Sequence, residues 1–401
     1  MWTVLALMGM AQFAVEFGVL AIGPLAPLFR DSLGMDRQQI GSLTSAFCAG
    51  ALSTCILFGR LGDRYGIRMP LAVIQLVSGI GILSAVFAGR YGVLLPFMFI
   101  GGLASGGGMV LTTKALYEWF PRERLGTAMS VKFIGLSSAG VAASVLPLLG
   151  LKGAFALMGA LLAASAAANV CFYQDREKAD IVKKLPQGGH HGEQKSLWGN
   201  RNFWRLAGVG FCFGGAQYTF TTYIVLFLGE SGFAPVAAGV LFAGTQGAAA
   251  AFRLVCGLVS DRLCKGRRKP VLQSIAIGGM AALTILALAP MVPLQVLGGA
   301  VLLFGASVLS FGVMFQALAA ELAGKGSAGL GSGIATTAVK VGQTAMPSVF
   351  GAVVFHSFGY GWGMLGAVLM IAVWLLALIK AESPSAAPVP AMHEAPHDRE
   401  V

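Results

Sequence analysis

Five ionisable side chains sit inside runs that are otherwise apolar over about twenty residues: Glu16, Lys114, Lys132, Arg253 and Lys340. A charge in hydrocarbon is costly unless it faces a cavity or a partner, so each asks for a reason. Lys114 has Glu118 at i+4, and a local ion pair accounts for it. Lys132, Arg253 and Lys340 have no acid within four residues on their own helices, so their counter-charge comes from another helix or from a ligand. Three deep cations against Glu16 predict a cavity of net positive character that takes anions. Arg offers a planar fork that matches a carboxylate, and Lys adds a movable point charge. Gln246 shares a helix side with Arg253, while Thr336 and Gln343 flank Lys340 at i−4 and i+3. Gln217 and Tyr218 stand opposite Gln12 and Glu16 when the two halves of the chain are aligned. We read Lys132, Arg253, Lys340, Gln217, Gln246 and Gln343 as solute-binding. Glu16 is the candidate proton carrier: an anion occupying the lysines withdraws their stabilisation of the carboxylate, so proton uptake accompanies anion binding. A permanent ion pair between Glu16 and a lysine is the alternative.

The elements that must position these residues follow from composition. The 401 residues are 56% hydrophobic and 11% charged, with a mean hydropathy of +0.76. Soluble domains carry about 25% charged residues, so this chain belongs in a bilayer. Twelve membrane-length runs are expected, at 3–27, 39–60, 69–88, 92–116, 125–147, 151–173, 203–228, 236–259, 270–290, 293–319, 329–355 and 359–379. The first run lacks a basic leader and carries Gln12 and Glu16, so it is read as a retained span and not a signal peptide. The +11 net charge does not point to nucleic acid. With the N-terminus inside, only Arg30, Arg37, Arg90 and Lys152 fall in outer loops, which is the positive-inside pattern of an inner-membrane protein with both termini cytoplasmic. The six cysteines show no metal or disulfide spacing, and no cofactor is expected.

The chain says much of this twice. AQF at 11–13 returns as AQY at 216–218, Glu118 before Leu125-Gly126 as Glu321 before Leu330-Gly331, and Lys132 as Lys340. Echoes about 200 residues apart predict two pseudo-symmetric six-helix bundles, 1–174 and 203–380, the parallel-repeat plan of many carriers. The charged, Gly- and Pro-containing stretch 175–202 reads as a cytoplasmic linker, and the Pro/Ala-rich 381–401 as a disordered tail.

GRLGDRYGIRM at 59–69 and GLVSDRLCKGRRK at 257–269 repeat a Gly, three residues, Asp-Arg spacing. Asp63 at a helix end can cap N–H groups of a neighbouring helix and pair with Arg64 or Arg68, while Gly59 lets backbones approach. The set Gly59, Asp63, Arg64, Arg68, Asp261 and Arg262 is read as a cytoplasmic gate that breaks when the halves rock. The first stretch resembles the helix 2–3 loop of the major facilitator superfamily, with Met69 where a second basic residue is common, and the second resembles its degenerate copy between helices 8 and 9. The resemblance implies an all-α membrane protein of twelve spans and a secondary transporter working by alternating access, here as symport or exchange by a monomer. Arg253 resembles the helix 8 arginine of monocarboxylate carriers and oxalate/formate exchangers, and Lys340 the helix 11 lysine of the latter. YEWFPRERLGTAMSVKFIG at 117–135 is similar to the helix 4–5 passage of those exchangers and of cyanate-type carriers. Monocarboxylate carriers usually place Asp four residues before that arginine. Here Ala249 stands there, so their proton scheme does not carry over.

Other classes fit less well. A sugar porter has no use for so many cations. A small inorganic anion porter of the nitrate or cyanate type stays an alternative on charge alone, although helices 5 and 11 lack the Gly- and Asn-rich nitrate signature. A drug/proton antiporter is the more serious alternative, since GLSSAG at 135–140 spaces its glycines somewhat as that group does, without its Pro. GLASGGG at 102–108 follows no strand, so its glycines read as helix packing and not as a phosphate loop.

Overall fold

The computed structural model describes residues 1–120, 122–175, 199–262, 268–323, 328–355 and 357–379. The tail expected at 381–401 and nearly all of the expected linker lie outside the described residues. The described residues form thirteen α-helices with short 3₁₀ turns: α1 (Trp2–Leu33), α2 (Arg37–Tyr65), α3 (Arg68–Ser84), α4 (Tyr91–Trp119), α5 (Arg122–Ala143), α6 (Gly150–Phe172), α7 (Arg201–Glu230), α8 (Pro235–Arg262), α9 (Arg268–Ala287), α10 (Leu294–Ala306), α11 (Gly312–Ala323), α12 (Ala328–Val353) and α13 (Phe358–Leu378). Since α10 and α11 share one membrane-length stretch, the architecture is all-helical with twelve spans. Ten of these are apolar and long enough to cross a bilayer, and the remaining two, α5 and α12, carry Lys132 and Lys340.

Local signals set the boundaries. Asp36 accepts the Gln39 N–H at 2.7 Å while Gln39 accepts the Asp36 N–H at 3.1 Å, a capping box that starts α2 directly after α1 ends at left-handed Gly34. Before α3, Gly66 holds φ 83°, a turn that a side chain disfavours. The sequence predicted one unbroken run over 293–319. The structure breaks it, because Ser307 adopts φ −86° and ψ −88° and a 3₁₀ turn at Val308–Ser310 separates α10 from α11.

Within the first six spans, α2 lies closest to α4: a methyl at Gly102 would overlap the Phe47 carbonyl, and one at Gly106 the Ala51 carbonyl. In the last six, α12 packs on α7. The two sets meet where α1 faces α7, α2 faces α12 and α5 faces α8.

The two ends of this interface differ. Near the α1–α2 turn the sets are joined by Thr44 Oγ1 to Thr222 Oγ1 at 2.9 Å, Ser45 Oγ to Ser348 Oγ at 2.7 Å, and the Tyr223 hydroxyl donating to the Arg37 carbonyl at 2.7 Å. Arg30 and Arg37 both reach Glu230, at 2.7 and 2.6 Å, and Arg37 also donates to the Val354 carbonyl at 2.7 Å. At the opposite end, Lys114 with Asp63 (2.5 Å), Arg268 with Glu321 (3.4 Å) and Arg205 with the Leu378 carbonyl (2.7 Å) each join helices of the same set.

Candidate functional site

A cavity of about 90 Å³ lies between the two sets of spans, walled by α1, α4, α5, α7, α8, α12 and the α10–α11 break. Of the residues predicted to bind solute, Gln217, Arg253, Lys340 and Gln343 line it together with Glu16. Gln12, Met109, Phe133, Tyr218, Gln316 and Thr336 also face it.

Two predicted residues do not line it. Lys132 is fully buried and turns toward α4, where its ammonium donates to the Thr113 hydroxyl at 2.7 Å and the Met109 carbonyl at 3.3 Å. Its neighbours Phe133 and Leu136 form the wall in its place. Gln246 is buried against α5, packed so closely on Gly140 that a methyl there would meet its side chain.

Glu16 is 3% exposed and is held by neutral donors. Ser105 donates to Oε1 at 3.1 Å, Gln12 more weakly at 3.4 Å, and the Tyr218 hydroxyl reaches Oε2 at 3.0 Å from the other half. Among the described residues no ion pair joins Glu16 to a lysine, so the permanent pair is not what this conformation holds.

Arg253 is held by both halves, donating through Nη1 to Ser137 Oγ on α5 at 2.6 Å and through Nη2 to the Leu309 carbonyl at 2.9 Å. That carbonyl belongs to the turn that breaks the span. Lys340 is 4% exposed, and among the described residues its ammonium makes no hydrogen bond or ion pair; it lies 5.6 Å from the centre of the Tyr218 ring. The cavity therefore holds a fixed guanidinium and an unengaged ammonium beside a carboxylate already satisfied, and such a set attracts an anion.

The expected gate is arranged differently from the reading of its sequence. Asp63 pairs with Lys114, not with Arg64 or Arg68, and Lys114 lies also 4.0 Å from Glu118. The α3 start is capped by Asp175, which accepts the Ile67 N–H at 2.6 Å and the Arg68 N–H at 3.2 Å. The cause is that the chain leaving α6 passes directly under Gly66, nearer those N–H groups than the Asp63 side chain on α2. Arg68 donates to the Val170 carbonyl, Arg64 lies 5.2 Å from the Tyr65 ring centre, and a methyl on Gly59 would meet Val110 at 3.7 Å. Asp261 and Arg262 end α8, with side chains outside the described residues.

Three contacts at the cavity and the interface were not legible in the sequence. Ser105 was hidden in a glycine run read only as packing, Ser137 is an ordinary serine in sequence, and Glu230 joins two arginines that were read as outer-loop charges. The signal for Glu230 was a lone acid at the end of a long apolar run.

The family model described as Major Facilitator Superfamily matches residues 8–347. The chain is 25% identical over 415 residues to the "Probable sulfoacetate transporter SauU" of Cupriavidus necator, a match covering 95% of each. It is 30% identical over 166 residues to the 4-hydroxybenzoate transporter PcaK of Pseudomonas aeruginosa, covering 40% of this chain and 37% of that one. The solved D-xylose-proton symporter superposes with a TM-score of 0.76 at 16% identity over 95% of this chain and 98% of its own, a likeness of fold. With twelve spans about a central cavity and a family match over most of its length, this chain belongs to the Major Facilitator Superfamily and is a multi-pass secondary transporter, not an enzyme.

Proposed function

We propose that this transporter carries a small organic anion, a carboxylate or sulfonate, by alternating access, as proton symport or anion exchange. The observation that carries the reading is Lys340: a buried ammonium, facing the cavity beside Arg253, with no protein acceptor among the described residues. The full-length similarity to a protein named for sulfoacetate, and the partial similarity to one named for 4-hydroxybenzoate, support an organic anion as solute. So does the resemblance of Arg253 and Lys340 to the monocarboxylate and oxalate/formate branch. In this reading Glu16 takes the proton and Lys132 acts through Thr113 and Met109 from behind the wall.

The positive-inside pattern supports an inner-membrane protein with both termini and the 175–202 linker in the cytoplasm. The α1–α2 end then faces outward, and the contacts there close the cavity to the outside. Residues 1–174 and 203–380 rock as two bundles within a monomer, and Gly59, Asp63, Arg64, Arg68, Asp261 and Arg262 come together as a gate in the opposite state.

The test is a thermal-shift screen of purified protein against acetate, oxalate, sulfoacetate, 4-hydroxybenzoate and inorganic anions. A ligand at 100 times its Kd adds about 2.7 kcal/mol of apparent stability. Stabilisation by an organic anion is expected, and stabilisation by cationic drugs alone would overturn the reading in favour of drug efflux.

A further inference from the structure

The break in the tenth span leaves backbone donors with no backbone acceptor among the described residues. The Ser310 N–H bonds to the Ser307 carbonyl at 3.0 Å and the Phe311 N–H to Val308 at 3.4 Å, and the α-helical ladder resumes only with the Phe315 N–H on Phe311 at 3.0 Å. The N–H groups of Gly312, Val313 and Met314 fall between, outside the ladder, and of these Gly312 and Val313 line the cavity. In a membrane such groups need a partner or a water-filled space. Gly312 offers the space: a methyl built on it would meet nothing within 4 Å.

Charge makes this helix start more than an ordinary terminus. A helix start carries roughly half a positive charge, and Arg253 sits against it through the Leu309 carbonyl at 2.9 Å. Independently, the Lys340 ammonium on α12 faces the same cavity, nearly fully buried and without a protein acceptor among the described residues. Glu16, the carboxylate of the cavity lining, is already taken by Ser105, Gln12 and Tyr218.

We infer that an oxyanion head of the solute docks on the first turn of α11, accepting from the Gly312 and Val313 N–H groups and from Lys340. This deepens the anion-carrier reading and rests on it. A carboxylate or sulfonate suits the place because it presents several acceptor oxygens to donors that arrive from different elements. Arg253 then acts first as the strut that holds the Leu309 turn open, and its remaining N–H groups face the bound charge.

The test uses the purified full chain and calorimetric titration with sulfoacetate and with acetate. Gly312→Ala puts a methyl where the head would rest without touching other atoms, and is expected to keep its melting temperature and weaken binding about tenfold, the scale of one charge-assisted hydrogen bond. Gly312→Asp ties a carboxylate to the same turn, and is expected to fold and to bind neither titrant. Gly299→Ala, on a lipid-facing surface of α10, is expected to bind as the parent does. Parent-like affinity in both Gly312 variants, with binding lost in Lys340→Ala, would overturn this docking place while leaving the anion carrier intact. Absence of binding to the parent protein would overturn both.

Discussion

The Tyr218 hydroxyl donates to Glu16 Oε2 at 3.0 Å, a hydrogen bond from α7 to α1 that ties the two halves at the centre of the cavity. Glu16→Gln keeps the shape but turns one oxygen into a donor facing other donors. Accumulation driven by a pH gradient is expected to vanish in liposomes while anion exchange continues. Accumulation that survives in Glu16→Gln would remove this residue as the proton site.

Arg253 spans Ser137 Oγ and the Leu309 carbonyl with two different nitrogens, which a single ammonium cannot reproduce. Arg253→Lys is therefore expected to lower transport by about tenfold or more, since a charged hydrogen bond contributes roughly 1.5–3 kcal/mol. Initial rates of labelled solute uptake check it, and unchanged affinity in Arg253→Ala would show that the residue serves only the fold.

The position of these two residues is legible in the sequence, because an ion inside an apolar run stands out whatever surrounds it. The side to which a long side chain turns was not legible. Lys132, like Lys340, stands inside an apolar run without an acid on its own helix, but a carbonyl and a hydroxyl on α4 draw it away from the cavity. The break at Ser307 was also invisible: VLLFGASVLSFGV reads as continuous hydrocarbon, and only the backbone angles interrupt it. Asp175 as the cap of α3 depends on where α6 ends in space, which no local spacing records.

Glu230 accepts from Arg30 and Arg37 at the closed end. Glu230→Gln removes both ion pairs, each partly exposed and of the class that contributes about 0.2–1 kcal/mol. The closed population is expected to fall several-fold or less, read as faster thiol labelling of Ser45→Cys from the α1–α2 side. An unchanged labelling rate would mean that the hydroxyl contacts hold this end without the charges.

Ser45 and Ser348 bring their oxygens to 2.7 Å across the halves. The double variant Ser45→Cys with Ser348→Cys is expected to crosslink under mild oxidant and to stop transport until reductant is added. Transport that continues through the crosslinked protein would show that this end need not open.

Gly106 has no room for a side chain because the Ala51 carbonyl occupies the place of its Cβ. Gly106→Val is expected to lower the melting temperature in detergent, with a cost of about 1–3 kcal/mol or more for forcing α2 from α4. Gly363→Ala, at a site with no atom within 4 Å, is the control that should melt with the parent.

The fourth span of each half began from the same plan, yet α4 runs unbroken from Tyr91 to Trp119 while its counterpart is cut between Ala306 and Gly312. The echoes in the sequence predict two copies of one plan, and at this span the two copies differ in shape. One copy became a beam, glycine-packed against α2, and the other a socket with bare backbone. In the docking inferred above, the bare backbone donors come from the second copy while the first lends the cavity side chains such as Glu16 and Met109, so recasting the α11 turn and recasting the α1 and α4 side chains are two separate routes to a different cargo.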